Sequence, residues 1–400
     1  MKITLVGPYF YPVVFGIEKV IYNHAKQLAL RGHEVHVVTS NLCFPNGTFT
    51  DLPEQEAIEN FVVHRLPVLL RTLPPPFYYP SNGGFLIPQL SKVLTALAPD
   101  ILHAHNIGAA TWANTCVNYA IRHHKKFFYT PHFHPDRLKL GFLRKCFFRQ
   151  LNHRPIIDAE TIFHLTQIDF KPFLEEFPHA DAQKFIVLPN GVNPPIKSKS
   201  EKPMNAPIKL LFVGRVDDAR KGFTILIEAM RLVWANSQSP VLLSIVGEIS
   251  QITRDILTTE FADCIRILGA VSEEELEQEY ASADLFVMPS LYEGFGMPFI
   301  EAMRYRVPVI GTQVGGIPEV VPEQAGILVP PQDAPALAQA ITTLVDCAEK
   351  RSRMGNAGAA WSKKFYWSEI VEQLETHYLG DRTLSSKSAG MSQALTTSEG

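Results

Sequence analysis

The feature that most constrains this chain is an alternation of short apolar runs and amphipathic segments that plays through once, stops, and begins again. "ITLVG" (3–7) is a run of buried-strand length, and a glycine follows at Gly16. "IEKVIYNHAKQLAL" (17–30) sets Ile17, Val20, Ile21, Ala25, Leu28 and Ala29 on one face at helical spacing, Gly32 caps it, and "VHVVT" (35–39) is the next strand. Further strand runs follow at 100–105, 127–130, 162–166 and 185–189. Strands that alternate with helices predict a parallel sheet, because parallel neighbours need a crossover long enough to hold a helix.

The pattern breaks at "NPPIKSKSEKPMNAP" (193–207), where proline, serine and lysine replace periodicity. It resumes with strand "IKLLFVG" (208–214), helix "FTILIEAMRLVW" (223–234) and strand "VLLSIVG" (241–247). The acidic helix "SEEELEQEYASA" (272–283) opens on a Ser-x-x-Glu capping signature and feeds strand "DLFVMPS" (284–290). Strands at 307–311 and 326–329 and a helical stretch follow. The expected organisation is a Rossmann-like domain over 1–192, a linker over 193–207, a second Rossmann-like domain over 208–365, a C-terminal helix over 366–380 and a disordered tail over 381–400. In doubly wound α/β sheets ligands gather outside the carboxyl ends of the strands, so the site is expected there, in the cleft of two facing domains.

Composition removes several function classes. Thirty-seven basic and 40 acidic residues leave a net charge of −3, without the basic excess of a nucleic-acid binder. Five widely spaced cysteines form no Cys-x-x-Cys pair, which speaks for a reducing compartment and for cytoplasmic localisation. No apolar run reaches membrane-spanning length. Neither a Gly-x-Gly-x-x-Gly after the first strand nor a Walker-type loop is present, which weighs against dinucleotide oxidoreductases and P-loop ATPases.

What remains lies at strand ends. In "VGRVDDARKG" (213–222), Arg215 and Lys221 flank a polar turn that opens a helix, where cations and amide N–H groups together suit a diphosphate. The plain alternative is a solvated loop with salt bridges to Asp217 and Asp218. "EGFGMPFIE" (293–301) follows strand 284–290; Gly294 and Gly296 admit close backbone approach, and Pro298 suits a first helical turn. Glu293 then lies in the loop and Glu301 one turn into the helix. A metal between them lacks a third hard ligand nearby. Eight of the fourteen histidines fall between 103 and 164, among them "HAH" (103–105) and "PHFHP" (131–135). A zinc pair on the strand, core histidines, and a catalytic His132 all stay open, the zinc reading lacking a local carboxylate or cysteine to complete the shell. Residues 137–155 carry Arg137, Lys139, Arg144, Lys145, Arg149 and Arg154 with no acid, and Leu140, Leu143, Phe147 and Leu151 at helical spacing. That pattern fits contact with an anionic membrane or an ordinary surface helix. "LPPPFYYPSNGGFLIP" (73–88) is a candidate acceptor-side loop.

Taken together these segments resemble the retaining family 4 glycosyltransferases (glycosyl transferases group 1) of GT-B fold, over about residues 1–380. "EGFGMPFIE" is similar to the family's Glu-x(7)-Glu motif. "GGIPEVV" (315–321), "GRVDDARKG", "LPNGVN" (188–193), "RGHEVHVVT" (31–39) and "TPHFHP" (130–135) fit in order and spacing. The resemblance implies a hexosyltransferase that moves sugar from a UDP- or GDP-sugar donor to a hydroxyl of a glycan or lipid-linked acceptor, with retention. It implies Arg215 and Lys221 on the diphosphate and Glu301 on the ribose. Glu293 with the Gly294, Phe295 and Gly296 backbone would hold the sugar, Gly16 would approach the phosphates, and His132 would stand at the reaction centre with Glu293. It implies no cofactor and no metal, since cations and helix ends stabilise the leaving diphosphate, and a last helix that crosses back to the first domain. Two departures stand out: "VFGIE" has Phe15 where the family often has glycine, and the 213–222 loop is a residue longer than the common form. A non-catalytic sugar-nucleotide-binding protein and a sugar-nucleotide epimerase of the same fold are the alternatives.

Overall fold

The computed structural model describes residues 1–12, 16–43, 48–49, 52–67, 87–133, 142–199 and 206–380. Phe15, nearly all of the 73–88 loop and the 381–400 tail lie outside them. The chain divides into two compact units, Met1–Pro189 with Trp367–Gly400, and Asn190–Tyr366.

The first unit is built on β1 (Lys2–Val6), β2 (Glu34–Ser40), a small β3/β4 ribbon (Leu42–Cys43, Thr48–Phe49), β5 (Gln55–Ile58), β6 (Phe61–Leu66), β7 (Ile101–His105), β8 (Lys126–Thr130), β9 (Thr161–His164) and β10 (Phe185–Val187). Its helices are α1 (Gly16–Leu30), α2 (Ile87–Leu97), α3 (Ala110–His123), α4 (Phe142–Asp158) and α5 (Phe170–Glu176). Eight strands join one sheet in the order β10-β9-β8-β7-β1-β2-β6-β5. Every pairing is parallel except the β5/β6 hairpin at the edge. That hairpin escaped the sequence reading because its turn, Glu59-Asn60, lacks the glycine that usually marks one. The sheet separates two apolar cores. Leu102 and Ala104 of β7 face one, with Val117, Tyr129 and Phe173. Ile101 faces the other, with Val20, Ile21, Ala25 and Leu28 of α1.

The second unit holds β11 (Ile208–Val213), β12 (Val241–Val246), β13 (Ile265–Gly269), β14 (Leu285–Val287), β15 (Val309–Thr312) and β16 (Gly326–Val329), all parallel, in the order β13-β12-β11-β14-β15-β16. Helices α6 (Phe223–Asn236), α7 (Gln251–Phe261), α8 (Glu273–Ser282), α9 (Met297–Met303), α10 (Ile317–Val320), α11 (Ala334–Val345) and α12 (Ala348–Ser362) connect and cover it. The capping box forms as read: Ser272 Oγ accepts from Glu275 N while Glu275 accepts from Ser272 N.

The chain passes between units earlier than the composition break suggests. Residues 193–199 belong to the second unit, where Arg304 donates to the Asn193 carbonyl (2.6 Å) and Lys199 to the Arg306 carbonyl (3.0 Å). One side chain from a neighbouring helix end and one from the strip itself tie this proline-rich segment down; its composition lacks periodicity but not partners. The last helix, α13 (Trp367–Leu379), packs in the first unit and buries Trp367, Ile370, Val371, Leu374 and Tyr378.

Arg137 and Lys139 lie outside the described residues, but helix α4 corrects the reading of unopposed charge for Lys145, Arg149 and Arg154. Lys145 and Arg149 both reach Glu176 of α5, at 2.8 and 2.9 Å, and Arg154 reaches Asp158 at 3.3 Å. Its inward face is Phe148, Asn152 and Ile156, offset from the stripe read through Phe147, which is 67% exposed. Among the described residues no helix is long and apolar enough to cross a membrane.

Candidate functional site

In the second unit the strand order reverses direction between β11 and β14, which pair directly through Leu210–Leu285 and Leu211–Phe286. Connections leaving these two strands diverge, and the opening between them at the carboxyl edge is where doubly wound sheets bind ligands. The two sequence-predicted loops are the ones that border it. They are stitched together, since Leu291 N donates to the Arg220 carbonyl at 2.7 Å. Gly222 sits between them in the left-handed region (φ +66), and a Cβ there would lie 1.9 Å from the Pro289 carbonyl oxygen. Only glycine lets the two loops close to this distance.

The charges sort themselves across this seam. Lys221 Nζ stands 2.6 Å from Glu293 Oε2, with side chains 23% and 16% exposed. Arg215 is 62% exposed and touches Asp218 at 3.3 Å. Asp218 is held chiefly by Arg220, at 2.9 and 2.7 Å, and that guanidinium pushes its carboxyl down to about 2. Asp217 takes no part in this cluster. It accepts from Thr253 Oγ1 (2.7 Å) and Ser250 N (2.6 Å), which depress its carboxyl, and so braces the start of α7. The alternative of plain salt bridges therefore holds for Arg215 with Asp218 but not for Lys221, whose carboxylate partner comes from the other loop.

Glu293 is placed by its backbone. Gly316 N donates to its carbonyl oxygen at 3.1 Å, and Gly315 (φ +51) lies so close that a Cβ would stand 1.9 Å from that oxygen. Gly296, at φ +94, is the N-cap of α9, with Pro298 in the first turn. Glu301, on α9, accepts at Oε2 from Tyr280 Oη (2.8 Å). Tyr280 is fully buried, which pushes its phenol far up and keeps it a donor. Its ring stacks on Tyr305, whose hydroxyl bonds Glu277. Phe295 is 6% exposed and meets the Phe365 ring edge-on at 6.0 Å, so its side chain serves packing, and its backbone alone is available to a ligand. Sequence reasoning missed Tyr280, hidden in an acidic helix, and the supporting role of Gly315 and Gly316. For the glycines the signal was present in the adjacent pair itself.

The first unit has its own reversal, between β1 and β7. Gly16 opens α1 and is exposed, and among the described residues nothing lies within 4 Å of a Cβ built there. His132 follows β8 with φ +47 and puts Nε2 3.1 Å from His105 Nδ1. Strand β7 aims His103 and His105 at α1, where His24 meets them; one nitrogen from each lies within 4.8 Å of the others. The strand pair thus has a third imidazole, which the sequence reading did not supply.

Chemically, the second unit offers a cation pair, one carboxylate at the seam and one behind it, and the amide end of α6. That set suits an anionic, hydroxylated ligand such as a nucleoside diphosphate bearing a sugar.

Comparison with known proteins bears on the same regions. Residues 14–194 match the family described as Glycosyltransferase Family 4, and residues 194–361 the one described as Glycosyl transferases group 1. The chain is 27% identical over 404 residues to the phosphatidyl-myo-inositol mannosyltransferase of Mycobacterium leprae, covering 97% of this chain and 99% of that one. Among solved structures, the sucrose-phosphate synthase of Thermosynechococcus elongatus superposes with a TM-score of 0.72 at 22% identity, over 95% and 98% of the two chains. Anabaena Alr3699/HepE, solved in complex with UDP and glucose, superposes with a TM-score of 0.66 at 20% identity, over 95% and 100%. These likenesses establish the GT-B architecture of two Rossmann-like units.

Proposed function

We propose, for a chain that belongs to the family 4 glycosyltransferases (glycosyl transferases group 1), transfer of a hexose from a UDP- or GDP-sugar to a hydroxyl of a glycan or lipid-linked acceptor, with retention at the anomeric carbon. The observation that carries it is the seam at the β11/β14 reversal, where Lys221 and Glu293 meet at 2.6 Å between two loops locked together. Support for the donor class comes from the UDP and glucose held by the Anabaena relative, and for a lipid-linked acceptor from the Mycobacterium leprae mannosyltransferase.

In this reading the bond from the anomeric carbon to the diphosphate breaks, the acceptor oxygen takes its place, and the acceptor proton leaves with the nucleoside diphosphate. Lys221, Arg215 and the amides opening α6 receive the charge that develops on the diphosphate, the role that preorganised positive groups fill in a low-dielectric site. Glu301, with one oxygen held by Tyr280, keeps the other for the ribose hydroxyls. Glu293 and the Gly294, Phe295 and Gly296 backbone hold the sugar. His132 and Gly16 are the first unit's contribution to the reacting groups. No metal is needed at the diphosphate. Cytoplasmic localisation, with peripheral contact to an anionic membrane through residues 137–155, belongs to the same proposal; salt-sensitive binding to anionic vesicles supports that contact, and its absence removes it.

The test is transfer from a panel of UDP- and GDP-sugars to glycan and lipid-linked acceptors, with the product's anomeric configuration read by NMR. A glycosidic product of retained configuration is expected. An epimerised free donor, or consumption of donor that ignores the acceptor, overturns the reading.

A further inference from the structure

We propose that His24, His103 and His105 of the first unit form a binding site for a borderline transition-metal ion of the zinc(II) or cobalt(II) class, separate from the diphosphate seam. Three imidazoles from two elements converge there, all at most 2% exposed, and their candidate ligand nitrogens lie within 4.8 Å of one another. Such a set, without carboxylate or carbonyl, selects against magnesium and calcium, which take oxygen ligands.

Two observations point to a missing partner. Among the described residues, His24 Nδ1 and His105 Nε2 are buried and have no hydrogen-bond partner. A buried polar atom left this way costs free energy, and native proteins supply it with water, an ion or a neighbour. Burial also holds the rings neutral, as metal ligands must be: His24 is pushed down to about 3, and His103 and His105 lie well below the ordinary histidine value.

The surroundings have the form of an orienting shell. His105 turns its other nitrogen, Nδ1, to His132 Nε2 at 3.1 Å. His103 has Tyr378 Oη 2.6 Å from Nδ1 and Thr130 Oγ1 2.7 Å from Nε2. Ligating histidines are fixed in this way by a partner on the far nitrogen. On binding, His103 gives up one hydroxyl and keeps the other. Tetrahedral coordination at about 2.0–2.1 Å sets ligand nitrogens about 3.4 Å apart, so the three rings close in by roughly 1 Å of side-chain rotation. A metal on His105 Nε2 puts the remaining proton on Nδ1 and makes His132 Nε2 an acceptor. Bound metal would thereby fix the tautomer of His132, a consequence that rests on the reading of His132 as a reaction-centre residue; metal binding itself does not.

The experiment uses untagged full-length protein, stripped with a chelator and titrated with cobalt(II). One equivalent is expected, with the visible bands of a tetrahedral centre, lost on adding zinc(II). Both signals should vanish in His24→Leu and His105→Leu and persist in His179→Ala, which alters an exposed histidine of the same unit. Absence of stoichiometric bands in the wild type, or bands that persist in His24→Leu, overturns the proposal. Should the leucine variants lose their circular-dichroism signature, X-ray absorption on zinc-loaded wild type decides. Three imidazole nitrogens are expected, and a shell containing sulfur, or one dominated by non-histidine oxygen, overturns the site. None of these readouts depends on transferase activity, so the failure of either proposal leaves the other standing.

Discussion

Replacing Gly315 with alanine tests how Glu293 is held. The added Cβ would sit 1.9 Å from the Glu293 carbonyl oxygen and 3.0 Å from its carbonyl carbon, whereas ordinary contact begins near 3.4 Å. Something must move by about 1.5 Å, and both sides of the contact are backbone. Relief comes by lifting the 293–296 loop off the Gly315-Gly316 turn, which also breaks the Gly316 N to Glu293 O bond of 3.1 Å. A left-handed alanine costs a further ~1–2 kcal/mol. A reacting group displaced by about 1 Å commonly loses on the order of 100-fold in rate. The assay is kcat/KM for the donor, followed by release of nucleoside diphosphate, beside circular dichroism and Tm. The expected result is a folded protein with Tm lowered by a few degrees and kcat/KM down roughly 100-fold. A folded variant with wild-type kinetics would refute the reasoning that this turn positions Glu293.

Other expectations follow from the same geometry. Tyr280→Phe removes the hydroxyl that holds Glu301 Oε2 but keeps the ring stacked on Tyr305; donor KM should rise roughly tenfold, as for the loss of one charge-assisted hydrogen bond, with kcat little changed. Equal KM for ribo- and 2′,3′-dideoxyribo-nucleotide sugars in the wild type would remove Glu301 from the ribose. Gly16→Ala meets nothing within 4 Å among the described residues, so Tm should hold, and any loss of activity then reports ligand approach, not folding. Acid should unfold the first unit before the second. The histidines lowered by burial, His24 (about 3), His64 (about 4), His103, His105, His164 (about 3) and His377, all belong to the first unit. Each is depressed in the fold, so its stabilising contribution is complete above pH ~6.5 and is lost as pH falls below it, by about 1.4 kcal/mol per pH unit for the deeply buried His24 and His164 and by less for the partly solvated His64 and His377. Calorimetry with chelator present, from pH 7 to 5, should show one transition moving down steeply; parallel movement of both transitions would contradict this.

Much of the fold was legible because local patterns and global architecture agree. The alternation of apolar runs with 3.6-periodic segments leaves a parallel sheet as the natural solution, and the β16 run and the capping box of α8 lie where read. What escaped has physical causes. β5 (Gln55–Ile58) is a polar edge strand whose residues stay exposed or half-buried, so burial enforces no pattern there; β6 inside the sheet does bury Phe61, Val63 and Leu66, but no turn glycine announced the pair. "IRILG" (265–269) is a short strand at the other sheet's edge, again half-buried. At the site, spacing placed Arg215, Lys221, Glu293 and Glu301 after the correct strands, since strand ends are visible in sequence. Which partner each charge takes was not visible, because Lys221 and Glu293 are 72 residues apart and meet only through strand order. His24 was hidden for a like reason: on a helix face it sits among Ile21, Ala25 and Leu28 as one more inward residue, and only the sheet brings β7 beneath it.

The central claim is that a nucleotide sugar is held at the β11/β14 seam by Lys221 and Arg215. Thermal shift against a panel of UDP- and GDP-sugars measures this most directly, because a ligand at 100 times its Kd stabilises the native state by about 2.7 kcal/mol. At least one nucleotide sugar should raise the wild-type Tm, and that rise should disappear in the Arg215→Ala, Lys221→Ala double variant, which stays folded by circular dichroism with an unliganded Tm lowered by loss of the Lys221–Glu293 pair. A rise of equal size in wild type and double variant would place the donor elsewhere and contradict the account.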